Sequence, residues 1–187
     1  LRDRYVRFDW AIKRLLRQKA NFDVLEGFLS VFLGEPILIE EVLASENSLY
    51  TPGDRVYGLV VKARDSKKDP IAIDIRFMRE LYYWERVLYK QRNRLKSASW
   101  LESCKQVKKI YSMIILYFPI GDGSDYLYYG SISNPLVSTH TNDRLCISAR
   151  DQEVLFESSN PVIKYILIRV NEFNQVAVTP LEEWMRY

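Results

Sequence analysis

The chain has 187 residues, 48% of them hydrophobic and 27% charged, enough for one sizeable core and too few for two ordinary domains. That balance excludes a disordered chain, and the formal net charge of +3 does not by itself indicate a nucleic-acid partner. No apolar run reaches the ~18 residues of a membrane span, and Leu1-Arg2-Asp3-Arg4 lacks the apolar core of a signal peptide, so a cytoplasmic protein without a membrane partner is expected.

The elements follow in chain order. Phe8, Ile12, Leu15 and Leu16 recur at helical spacing, with Lys13, Arg14 and Arg17 on other faces. A second helix has Asn21 or Asp23 as its cap and Val24, Leu25, Phe28, Leu29, Phe32 and Leu33 as its apolar face, and Gly34 stops it. Ile37 to Leu43 reads as a strand, and Glu46 to Asp54 as a polar loop. Val56 to Ala63 is apolar on both faces around Leu59, Val60 and Val61, the pattern of a central strand. After the turn Asp65-Ser66-Lys67-Lys68-Asp69, the next strand puts Ile71, Ile73 and Ile75 on one face and Ala72, Asp74 and Arg76 on the other. A long helix is expected over Met78 to Lys96, with Leu81, Trp84, Leu88 and Leu95 as its core stripe.

Ile110 to Phe118 reads as another buried strand, turned by Gly121-Asp122-Gly123-Ser124 into an antiparallel hairpin with Tyr126 to Tyr129. Leu145 to Ile147 predicts a short strand, Ala149 to Phe156 a short helix, and Val162 to Val170 a further strand. Thr179-Pro180-Leu181-Glu182 is a capping box with proline at the first helical position, and the helix it opens is cut off at Tyr187. No internal repeat or linker interrupts the pattern. A single α/β domain spanning residues 1–187 is expected.

Few residues carry chemistry. Cys104 and Cys146 have no CxxC spacing, which argues against a thiolate metal site or a disulfide scaffold. The chain's one histidine, His140, rules out a two-histidine zinc site; in Ser138-Thr139-His140-Thr141-Asn142-Asp143 it reads as an exposed loop residue rather than a triad member. The feature that stands out is Asp74-Ile75-Arg76, a carboxylate and a cation on one face of a core strand. A metal-dependent nuclease needs two carboxylates on a near-octahedral Mg²⁺ that stabilises the scissile phosphate and activates water. A lysine two residues past the second carboxylate assists that water. Alone, Asp and Arg two apart are more often a solvated or paired couple.

The surrounding order raises the signal. Tyr5-Val6-Arg7-Phe8-Asp9-Trp10-Ala11-Ile12-Lys13-Arg14-Leu15-Leu16, then Val24-Leu25-Glu26-Gly27-Phe28-Leu29 and Leu33-Gly34-Glu35, precede the strand pair, and a long helix over Arg79 to Gln91 follows it. Together with Leu167-Ile168-Arg169-Val170-Asn171-Glu172-Phe173 and Thr179-Pro180-Leu181-Glu182-Glu183-Trp184, this order resembles the PD-(D/E)XK nuclease family transposases. The resemblance implies an α/β, restriction-endonuclease-like mixed β-sheet flanked by α-helices, with Mg²⁺ as cofactor if the protein is active and none otherwise, and DNA as partner. Homo-oligomerisation is left open.

At the catalytic positions the chain departs from the family. Asp54-Arg55-Val56-Tyr57 stands where members carry Asn-Arg-Val-Asp, which sets Tyr57 at the place of a metal-binding carboxylate. Asp74 matches the second carboxylate and would be the remaining metal ligand, and Arg76 stands at the Gln or Lys position. A neutral phenol is a poor Mg²⁺ ligand, and a guanidinium does not give up a proton. Asp9 and Glu26 are candidate outer ligands, or plain helix charges. An ion pair of Asp74 with Arg76 or Arg55 is the economical outcome.

On the long helix, Arg79, Tyr83, Arg86 and Lys90 form a candidate DNA-binding face, basic residues interleaved with tyrosine; a solvated face paired with Glu80 and Glu85 is the alternative. Three functions are compatible: a family member with lost or reduced cleavage that retains DNA contact, an active Mg²⁺-dependent endonuclease using Asp74 with a displaced carboxylate, and a non-catalytic protein-interaction module.

Overall fold

The computed structural model describes residues 22–45, 56–78, 107–131, 134–147, 163–173 and 177–185. The expected N-terminal helix, the loop 46–54, the long helix after residue 78 and the short helix over 149–156 lie outside them.

Seven strands form one sheet in the order β1-β2-β3-β4-β7-β5-β6. They are β1 (Leu38–Ser45), β2 (Val56–Arg64), β3 (Pro70–Met78), β4 (Lys109–Leu116), β5 (Leu127–Ser131), β6 (Asn134–Ser138) and β7 (Ile163–Arg169). β1, β2 and β3 pair antiparallel, β3, β4 and β7 pair parallel, and β5 joins β7 and β6 antiparallel. The fold is α/β with a mixed sheet, the architecture of restriction-endonuclease-like proteins.

The expected strands are present, with three differences. Met78 ends β3 rather than opening a helix, because its side chain is buried in the sheet. β5 does not form a hairpin with β4: β7 lies between them and takes the edge of β4 in parallel register. Leu145 to Ile147 is not a strand. A single bridge, Val137 to Arg144, is all that pairs there, and Leu145 and Ile147 are buried by packing instead. β6 went unread because Pro135 and the polar residues around it hide a short edge strand.

β3 is buried on both faces from Ile71 onward, as a parallel central strand must be. Its odd-numbered residues pack with Leu59, Val61, Met113, Ile115, Ile166 and Ile168 under helix α1 (Phe22–Leu33). Leu25, Phe28, Leu29 and Phe32 of α1 are buried there, while Val24 of the expected apolar face stays exposed. Gly34, at φ 70°, ends the helix in the left-handed region glycine reaches freely. Helix α2 (Pro180–Met185) covers the same face, with the Trp184 ring 5.5 Å from Phe28. Its capping box is made as read: Glu182 Oε2 accepts the Thr179 amide at 2.9 Å, and the Glu182 amide donates to Thr179 Oγ1 at 3.3 Å. The even-numbered residues of β3 belong to a second cluster with Val60, Ile110, Ile114, Tyr165 and Leu167, closed by Phe118, Leu136, Leu145 and Ile147.

The β2–β3 turn is organised by Asp65. Its Oδ1 accepts the amides of Lys67 and Asp69, both at 3.0 Å, and its Oδ2 meets Lys109 Nζ at 2.8 Å. The Lys109 ammonium is the main cause that holds the Asp65 carboxyl below its ordinary 3.8, against desolvation, with the two amides assisting. A depressed carboxyl stabilises the fold fully above its unfolded value, and that contribution is lost as pH falls through the lower folded value. Asp65→Asn should therefore lower the urea midpoint near neutral pH and flatten its decline below about pH 4. Parallel acid limbs for variant and wild type would show that this turn does not set the acid response.

Candidate functional site

Asp74 sits near the middle of β3, opposite Val60 of β2 and Ser112 of β4, and Ser112 in turn pairs with Tyr165 of β7. Val60, Asp74, Ser112 and Tyr165 thus form one row across four strands, on the face away from α1. Arg76 occupies the next row, opposite Gly58 and Ile114. Asp74 and Arg76 are each 1% exposed and Ser112 2%, so this polar patch is sealed inside an otherwise apolar layer.

The two charges pair with each other. Residues two apart on a strand point the same way, and the guanidinium turns back along the carboxylate. Arg76 Nη2 donates to Asp74 Oδ2 at 3.2 Å, and Arg76 Nε lies 3.0 Å from Oδ1. Gly58 makes room for this. A Cβ built on Gly58 would stand 2.9 Å from Arg76 Nη1 and 3.3 Å from its Cδ and Cζ, so the guanidinium fills the space over a residue without a side chain. Across the row, burial raises the Tyr165 phenol well above its ordinary range, and the Asp74 charge adds to the rise.

The sequence-predicted site is brought together only in part. Asp74 and Arg76 form the expected ion pair. Tyr57, which the resemblance sets at the place of a metal-binding carboxylate, pairs with Phe77, whereas Asp74 and Arg76 pair with Val60 and Gly58, so by backbone register Tyr57 falls on the alternate positions of the sheet. The β2 residues in the Asp74 and Arg76 rows are Val60 and Gly58, and neither is a carboxylate. The motif match that set Tyr57 at that place carries no information on the register of β2 with β3. Glu26 is not near this patch either. It lies on α1, against the opposite face, and its Oε1 accepts the Ile39 amide at 2.7 Å. Asp9, Asp54, Arg55 and the candidate DNA-binding residues Arg79, Tyr83, Arg86 and Lys90 lie outside the described residues. Ser112 and Tyr165 were missed; their only signal in sequence is a polar group inside a strand otherwise buried on both faces.

His140 is held rather than loose. Its Nδ1 is 2.9 Å from Asp125 Oδ2, and its ring lies 5.1 Å from that of Tyr126. The Ser138 hydroxyl donates to the same Asp125 oxygen and not to the imidazole, so Ser138, His140 and Asp125 do not make a nucleophile–base–acid relay.

Residues 6–149 match the family model described as PD-(D/E)XK nuclease family transposase. That is most of the chain, and the chain belongs to this family. The match ends before the Leu167 to Phe173 and Thr179 to Trp184 segments, which lie beyond it. No curated relative and no solved structure matches the chain.

PD-(D/E)XK nucleases generally use divalent metals, and the described residues do not fit one. Among them no group of three or more His, Cys, Asp and Glu side chains converges as a metal site. The only carboxylate in the central row is already engaged by a guanidinium.

The packing of Gly58 against Arg76 is directly testable. Gly58→Ala should destabilise the protein by about 1–3 kcal/mol through overpacking. Most of that cost should vanish in an Arg76→Gln background, where the clashing atoms are gone. Equal costs in both backgrounds, measured by denaturant unfolding, would show that the two positions do not share one space.

Proposed function

We propose that this protein is a PD-(D/E)XK family member that has given up metal-dependent DNA cleavage and acts through DNA contact. One observation carries the reading: the Asp74–Arg76 pair, 1% exposed at both residues. A nuclease centre must admit a hydrated cation and a phosphodiester together. Here the carboxylate that would hold the cation is bonded to an internal cation and closed off from solvent. The residue directly opposite it, Val60, supplies no oxygen. Arg76 also stands where a proton-accepting side chain would serve the attacking water, and a guanidinium remains protonated throughout the working pH range. Membership of a nuclease and transposase family supports DNA as the partner.

Wild-type protein with Mg²⁺ or Mn²⁺ should therefore leave plasmid and single-stranded DNA uncut, and Asp74→Ala should change nothing in that assay. The register makes Val60, opposite Asp74, the position for a restoring substitution. Val60→Asp with Arg76→Lys should move the protein toward nicking, because it returns a second carboxylate beside Asp74 and removes the resident guanidinium. Cutting by the wild type that Asp74→Ala abolishes would overturn the proposal, and a carboxylate outside the described residues would then be completing the metal site.

A further inference from the structure

We infer that the tip built from the β2–β3 turn and the start of β4 is a contact surface for the phosphate backbone of duplex DNA. The inference rests on the DNA-contact reading above and gives it a place among the described residues. Five lysines gather at this end of the sheet: Lys67 and Lys68 in the turn, Lys108 and Lys109 where β4 begins, and Lys164 at the start of β7.

The carboxylates at this end are used up internally. Asp65 takes Lys109 at 2.8 Å, Asp69 takes Lys108 at 2.7 Å, and Glu35 accepts the Ser66 hydroxyl at 2.6 Å. Those bonds fix the turn from beneath. Arg64 adds to them, donating through Nη1 to the Lys68 carbonyl at 2.8 Å. Lys67 and Lys68 are exposed with no ion-pair partner among the described residues, and the side chain of Lys108, paired with Asp69, is 64% exposed, while the exposed Glu40 is paired with Arg64. Lys164, also exposed, lies with its Nζ 5.9 Å from the centre of the Tyr111 ring.

The backbone gives a second reason. Lys68 has φ 62°, in the left-handed region where glycine or asparagine is at ease and a long side chain is not. A lysine there holds its charge at the apex of a rigid turn at some cost in stability, the pattern of a residue placed for contact rather than for folding. Among the described residues at the far end, the acidic Asp122 and Glu172 follow β4 and β7, and Asp143 accepts from Ser124 beside them.

Fluorescence anisotropy with a labelled random-sequence DNA duplex tests this. Lys67→Glu with Lys68→Glu should weaken binding at least about tenfold and reduce the slope of log K against log salt by roughly two phosphate contacts. Lys68→Glu alone should weaken it more than the charge-matched Arg144→Glu at the far edge. Lys68→Gly separates contact from folding: it should raise the thermal midpoint and still weaken binding. If wild type binds the duplex and the double reversal leaves affinity and salt slope unchanged, the surface is wrong while the DNA reading stands. Equal losses from Lys68→Glu and Arg144→Glu would likewise remove it, as a general charge effect. If wild type does not bind the duplex at all, DNA contact and this surface fall together, and the loss of cleavage is still judged by the nicking assay.

Discussion

The Asp74–Arg76 ion pair is the constraint around which the centre of the sheet is arranged. Two opposite charges have been taken out of water in a strand with no solvent-facing side. Such a pair holds only if geometry is good and its neighbours accommodate it. β3 supplies the geometry, since i and i+2 share a face. β2 supplies the room, through Gly58 opposite Arg76. β4 and β7 bring Ser112 and Tyr165 into the carboxylate's row, within a layer that also holds Val60, Ala72, Ile110, Ile114 and Leu167.

The two faces of the sheet divide the work. The face under α1 and α2 is built mainly of aliphatic and aromatic side chains and is finished by aromatic contacts such as Phe28 with Phe32 and Trp184. It positions nothing chemical, and Glu26, the one carboxylate there considered for a metal, is spent on the Ile39 amide. The polar row lies on the opposite face. Charge is further divided between the sheet's ends: lysines cluster where β4 and β7 begin, carboxylates where they finish. His140 belongs to the acidic end, tied to Asp125.

How much of this was legible in the sequence follows from the range of each interaction. β2, β3 and the turn between them were readable because a local turn joins them and their apolar runs are continuous. The capping box at Thr179 and the stop at Gly34 were readable for the same reason, being contacts within a few residues. The pairing of Asp74 with Arg76 was also local. What could not be read is whatever depends on register or on distant strands. Moving a strand by one residue exchanges its faces, and the motif that set Tyr57 at the metal-binding place does not show that Gly58 and Val60 are the β2 residues facing Arg76 and Asp74. β7 entering beside β4, and with it the arrival of Tyr165 near Asp74, joins segments about fifty residues apart. No pattern within either strand announces that meeting.

The register also changes what has been lost from the catalytic motif. Had a bulky phenol filled the metal's space, the obstruction would be steric, and removing the ring would reopen the centre. With Gly58 and Val60 in the facing rows the centre is not blocked by bulk. On the proposed reading, its described residues offer one carboxylate, and that carboxylate already faces a guanidinium. A guanidinium suits that position in ways a lysine does not: it is planar, fills the space over the glycine, and brings two nitrogens to one carboxylate. Unlike a bound divalent ion, it needs no water shell and no opening to solvent, so the strands can close over it. Arg76 thus accounts for a charged pair that the sheet closes over at its centre. Gly58 and Arg76 are then parts of one device, and neither position is to be understood without the other.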